Sequence, residues 1–84
     1  MGNEDKLVYS TLIRKIDEYI INHSSKPTKA IMNKATNKKL VEDIHGSNNQ
    51  TVISIKIVFG IYIVIKEKYQ KRELYNNEII VLSK

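Results

Sequence analysis

Residues 51–66 read TVISIKIVFGIYIVIK, and this stretch constrains the fold more than any other. Its odd positions are Ile53, Ile55, Ile57, Phe59, Ile61, Ile63 and Ile65, all large and apolar. Its even positions are mixed, with Val52, Ser54, Lys56, Val58, Gly60, Tyr62, Val64 and Lys66. A period of two predicts β structure, because successive strand side chains leave opposite faces of a sheet. β-Branched and aromatic residues suit such a surface. The odd face is therefore the expected core face, with Ile57 and Ile63 at its centre.

Gly60 divides the stretch, and several arrangements fit. A single long strand bent by a bulge at Gly60 is the expected one. A three-residue turn over residues 58–60 keeps the odd positions together, pairing Ile57 with Ile61 and Ile55 with Ile63. A two-residue turn at Phe59 and Gly60 faces Ile57 with Tyr62, which breaks the continuous apolar face. Val and Phe are poor turn residues, which favours the bent strand.

The rest of the chain supplies two helices and two short strands. Asn3 is placed to cap a helix over residues 4–22, with Glu4 and Asp5 in its first turn. Val8, Leu12, Ile16, Tyr19 and Ile20 form its apolar stripe. Pro27 ends it. Residues 29–32 (KAIM) read as a strand, and Asn33 caps a second helix reaching His45, closed by Gly46. The loop GSNNQ (46–50) has no apolar anchor and is expected to be mobile. EKYQKREL (67–74) reads as loop or one helical turn, Tyr75-Asn76-Asn77 as a turn, and EIIVL (78–82) as the last strand. The expected fold is a single α+β domain over residues 1–84, a small mostly antiparallel sheet with two helices in the order α-β-α-β-β.

Several functional classes find no support in these residues. With no cysteine there is no thiolate metal site, disulfide or cysteine nucleophile. His23 and His45 sit near expected helix ends, where histidine commonly serves the dipole. The neighbouring acids Asp17–Glu18 and Glu42–Asp43 diverge by about 100° on a helix and do not make catalytic pairs. Gly2, Gly46 and Gly60 are isolated, so no phosphate loop is present. The apolar run is too short and too interrupted for a membrane-crossing helix. The acidic start of the chain does not read as a signal peptide. The expectations are no catalytic site, no cofactor, no metal and no membrane, in a bacterial host's cytoplasm.

Charge and exposed apolar surface carry the remaining signal. Lys26, Lys29, Lys34, Lys38 and Lys39 fall within fourteen residues that hold no acid, in a chain of net charge +5. Such a run can attract phosphate backbones. It can equally be solubilising surface, and only two arginines are present. On the even face, Val52, Val58, Tyr62 and Val64 are more apolar than solvent requires, and two short helices scarcely cover both faces of a sheet. Those four residues are the expected contacts with a second copy or a protein partner.

The chain from residue 26 to residue 82 resembles small phage and prophage proteins of Gram-positive bacteria. Pro27-Thr28-Lys29-Ala30-Ile31-Met32-Asn33, Leu40, Phe59-Gly60-Ile61 and Asn77-Glu78-Ile79 carry the resemblance. A similar order occurs in a subdomain of tailed-phage major capsid proteins. The resemblance implies a mobile-element origin and assigns no site residue. The expected function is a non-enzymatic, phage-borne protein that binds a host or phage protein, for instance as an inhibitor. The alternative is a small basic nucleic-acid-binding accessory protein.

Overall fold

The computed structural model describes residues 7–48 and 51–83. The expected cap at Asn3, the acids Glu4 and Asp5, and the end of the 46–50 loop lie outside the described residues. Helix α1 spans Leu7–His23 and buries Val8, Leu12 and Ile16, three residues four apart on one stripe, while Tyr19 of the expected stripe is half-buried and Ile20 is exposed near the helix end. Asp43 Oδ2 accepts the Tyr9 backbone N–H at 3.0 Å, so the second helix satisfies a first-turn amide of the first. Ser24 ends α1 in the left-handed region (φ 58°), its N–H bonded to the Ile20 carbonyl at 2.8 Å.

Strand β1 (Lys29–Met32) leads directly into helix α2 (Lys34–His45). Asn33 caps α2 as its sequence position predicts, its Oδ1 accepting the Thr36 N–H at 2.8 Å. Gly46 closes the helix at φ 90°, with its N–H bonded to the Glu42 carbonyl. The chain then forms β2 (Ile57–Val58), β3 (Ile61–Ile65), a ribbon of β4 (Lys68–Tyr69) and β5 (Arg72–Glu73), and β6 (Ile80–Leu82). The main sheet has the order β2-β3-β1-β6, with one parallel pair, β1–β3, and two antiparallel pairs. This is the expected α+β class with a mostly antiparallel sheet. The parallel pair is possible because α2 lies between β1 and β3 in the chain and returns it to the same end of the sheet.

Both helices contribute to one core. Val8, Leu12 and Ile16 of α1 and Leu40 and Val41 of α2 cluster with Ala30, Met32, Ile61, Ile63, Ile55 and Ile79. Cα register fixes the faces. Ala30 lies beside Ile63 and Val81, so all three share the helix side. Lys29, Ile31, Tyr62, Val64, Ile80 and Leu82 occupy the opposite side.

The central stretch is a hairpin, not the expected bent strand. Its turn is the two-residue one, with Ile57 opposite Tyr62 and Val58 opposite Ile61. Phe59 (φ 54°) and Gly60 (φ 75°) both take positive φ, the geometry that matches the twist of paired strands. Phe59 bears the strain a side chain meets there, and two long-range contacts hold it. Lys26 Nζ donates to the Phe59 carbonyl at 2.8 Å, and the Tyr9 ring lies 6.0 Å away, tilted by 40°. A two-residue turn reverses parity. The odd residues of β3 face the helices, while Ile57 faces away, so Ile57 is 58% exposed and Ile61 is fully buried. The expected odd core face therefore fails at Ile53, Ile57, Phe59 and, at the end of β3, Ile65, all exposed, and holds at Ile55, Ile61 and Ile63.

Ile55 is buried by a different device. The chain before β2 runs against α2, where Asn37 Nδ2 donates to the Ile55 carbonyl (2.9 Å) and Asn37 Oδ1 accepts the Ile55 N–H (3.1 Å). The amide side chain thus takes the place of a neighbouring strand. The segment at 67–74 is also not the expected loop or helical turn. It is the β4–β5 ribbon, turned by Gln70 (φ 54°) and Lys71 (φ 68°).

Ile63→Ala should destabilise the fold by about 2–4 kcal/mol, whereas Ile57→Ala should stay within about 0.5 kcal/mol of the parent. Chemical denaturation of the two variants measures the contrast. Equal losses would show that the hairpin does not set the faces as described.

Candidate protein-binding face

Among the described residues no helix covers the far side of the sheet. In register across its four strands lie Ile57 on β2, Tyr62 and Val64 on β3, Ile31 on β1, and Ile80 and Leu82 on β6. Lys29 is the one charged residue at these paired positions. Ile31, at the centre, is 4% exposed; Ile57 and Tyr62, toward the β2 edge, are 58% and 61% exposed. Val64, Ile80 and Leu82 are half-buried. The surface is mostly apolar, with a tyrosine hydroxyl and a lysine among its polar groups. A tyrosine there brings large contact area and a group that hydrogen-bonds at a half-wet boundary.

The four residues expected as partner contacts do not share this face. Tyr62 and Val64 lie on it. Val58 sits opposite Ile61 and packs, with Val52, against the helix-side core. The parity reversal at the hairpin causes the split. Ile57, Ile31, Ile80 and Leu82 take the vacated places. The alternation of residues 51–66 contained the signal for Ile57, provided the turn length was known. Nothing local marks which of Ile80 and Val81 points away from the helices, since that depends on pairing with β1.

The lysine run is dispersed. Lys26 holds the Phe59 carbonyl, Lys29 lies on the open sheet face, and Lys39 sits 4.0 Å from Glu42 on α2. Lys34 and Lys38 flank a groove of about 580 Å³ between α2 and the 52–54 segment, lined also by Val41, Val52 and Ile65. The five lysines therefore point to at least three parts of the surface. His23 stacks on Tyr19 with ring centroids 3.9 Å apart, and its Nδ1 lies 3.1 Å from the Tyr19 carbonyl, the helix-end role expected of it. Among the described residues no group of three His, Asp or Glu could hold a metal ion, and no helix is long and apolar enough to cross a membrane.

The approach to β6 is fixed by charge. Arg72 on β5 meets Glu78 through two hydrogen bonds, Nη1 to Oε1 at 3.1 Å and Nη2 to Oε2 at 2.6 Å. Glu78 Oε1 also accepts the Tyr75 N–H at 2.9 Å, and the guanidinium lies 5.4 Å from the Tyr75 ring centre. Comparison with protein-family models, curated proteins and solved structures finds no match to this chain.

These contacts give a pH prediction. The hydrogen bonds from Arg72, then from the Tyr75 N–H, hold the Glu78 carboxyl at about 2, down from its ordinary 4.5. The unfolded chain takes up a proton near 4.5 that the folded chain refuses until about 2. The stabilisation is therefore complete above that range and fades as pH falls through it. Thermal melts should show Glu78→Gln to be less stable than the parent at pH 6, with the gap closing toward pH 2. The gap should be modest and shrink with salt, because the pair is partly exposed. A gap independent of pH would remove the assignment.

Proposed function

We propose that this protein is a non-enzymatic binding module that acts in a bacterial cytoplasm by docking the helix-free sheet face onto another protein. The observation that carries this reading is the row Ile57, Tyr62, Val64, Ile31, Ile80 and Leu82, in register and with no helix of the described residues over it. A large apolar patch left by a folded chain is a common mark of a protein interface. Tyr62 is the anchor, since tyrosine is among the residues that carry most of the binding energy at protein interfaces, and it is the most exposed residue of the row. Lys29 on the same face suits a partner with an acid at the matching place. The phage resemblance of residues 26–82 is compatible with a host or phage protein as that partner, and blocking the partner's own surface is the simplest mode of action. Nucleic-acid binding is the weaker reading, because the lysines that motivated it are spread over the surface and one of them holds a turn.

A photo-crosslinking residue at position 62, in nuclease-treated bacterial lysate, should capture a discrete protein. Competition by excess wild-type chain should remove the product, and excess Tyr62→Glu should not. Tyr62→Glu should keep the parent's cooperative melt, because residue 62 faces away from the core. A product competed equally by both chains, or one found only without nuclease, would overturn the reading.

A further inference from the structure

β6 is an edge strand of the main sheet, and the geometry of its outer side selects a partner. The carbonyls of Thr28 and Met32 accept N–H groups of Tyr62 and Lys66, so the even residues of β1 direct their backbone toward β3. The odd residues, Lys29 and Ile31, therefore direct theirs toward β6, where they meet Leu82 and Ile80. Just before β1, where the alternation begins, the Thr28 N–H turns to the Leu82 carbonyl, which places that carbonyl on the β1 side. Val81, between those two pairs, directs its N–H and C=O outward. No described strand lies on that side.

Native sheets usually guard such edges with charge, proline, a bulge or extreme shortness. The other edge is guarded: β2 is two residues long and follows Lys56. β6 is Ile-Val-Leu, with no charged side chain. Beside it runs a groove of about 640 Å³ between the strand and α1, walled by Arg14, Lys15, Glu18 and Tyr19. α1 lies along β6 in a known register. Tyr19 Oη bonds Ser83 Oγ, and Lys15 is near enough to Glu78 to help lower its carboxyl pKa. Val81 is therefore level with the stretch of α1 between Lys15 and Tyr19.

We propose that β6 pairs antiparallel with β6 of a second copy about a two-fold axis at Val81, joining two four-stranded sheets into one of eight strands. The axis makes Val81 a mutually hydrogen-bonded pair with its equivalent and sets Ile80 beside Leu82 of the second copy on the open face. Within α1, Arg14 lies 3.6 Å from Glu18, and the same axis passes α1 between residues 15 and 19, which brings Arg14 and Lys15 of one copy toward Glu18 of the other, so that this exposed pair can be shared across the seam. A chain of net charge +5 resists meeting itself, and this self-complementary wall offsets that repulsion at the seam. A strand from an unrelated protein would gain the backbone bonds but has no reason to match the wall. The proposal is independent of the open-face reading, because Tyr62 lies two strands from the seam.

Sedimentation equilibrium of the whole chain at micromolar concentration should show a dimer. Val81→Pro deletes the outward N–H without touching the pairing with β1, and should give a monomer with the parent's far-ultraviolet circular dichroism. Glu18→Lys sets like charges across the seam on an exposed helix face, and should weaken dimerisation about tenfold or more. Arg14→Glu, Lys15→Glu and Glu18→Lys together should restore it. If Val81→Pro fails to fold, the charge series decides alone. Tyr62→Glu should dimerise like the parent. A monomeric parent, a dimer indifferent to the charge series, or a dimer lost in Tyr62→Glu overturns the seam, and the last result would move self-association to the open face.

Discussion

A two-residue turn between antiparallel strands reverses the parity of every side chain beyond it, and the arrangement of this protein depends on that reversal at Phe59–Gly60. With Ile57 set opposite Tyr62, the odd residues of β3 can face the helices only if Ile57 does not. Ile61 and Ile63 then fill the core with Ala30 and Met32, and an isoleucine and a tyrosine are left on the far side. A three-residue turn would have kept all the odd isoleucines on one face. The strain of a positive φ at Phe59 is sustained by distant residues, Lys26 on its carbonyl and Tyr9 against its ring.

Buried amides do the work that a longer sheet would otherwise do. Asn37 takes both backbone groups of Ile55, so the segment leading into β2 is held against α2 without a neighbouring strand. Asn33 caps α2 through Oδ1 and, through Nδ2, binds the Leu74 carbonyl and Asn76 Oδ1. Thr36 accepts the Asn77 N–H. Glu67 places a carboxylate oxygen 3.0 Å from the Lys34 N–H, at the positive end of α2. The first turns of α2 thus gather the chain on both sides of the sheet's C-terminal half. Among the described residues no buried side-chain nitrogen or oxygen lacks a partner. In so small a core, where an unmet buried polar group costs about 1–3 kcal/mol, that completeness matters.

One-sided coverage links the fold to the proposed activity. Helices α1 and α2 pack on each other and on the same sheet face; on the opposite face Ile31 is buried, Val64, Ile80 and Leu82 are half-buried, and Ile57 and Tyr62 are left most open to a partner or to water. The two surfaces proposed for association are distinct. One is the broad face centred on Ile31 and Tyr62, and the other is the narrow backbone edge at Val81. If both operate, joining two sheets at β6 also doubles the broad face, since Ile80 and Leu82 belong to both.

Much of the architecture was legible in the residues. The stripe of Val8, Leu12 and Ile16, the cap at Asn33, the stop at Gly46, and the strands KAIM and EIIVL rest on local chemistry, and each appears near its expected place. The candidate site was only half legible, with Tyr62 and Val64 found on the open face, and Val52 and Val58 on the core. The ribbon at 67–74 and the role of Asn37 were not legible, because Gln70 and Lys71 are poor signals for positive φ and an asparagine within a helix gives no sign of a remote backbone partner. The sequence by itself determined where both helices end, where the second begins, and that residues 29–32 and 80–82 are strands, since those depend on neighbours a few residues apart. Only the tertiary structure decided which side of each strand is the core. A period of two marks two faces without naming them, and the choice was made by contacts between residues far apart in the chain: Lys26 with Phe59, Asn37 with Ile55, and Ile31 with Ile80.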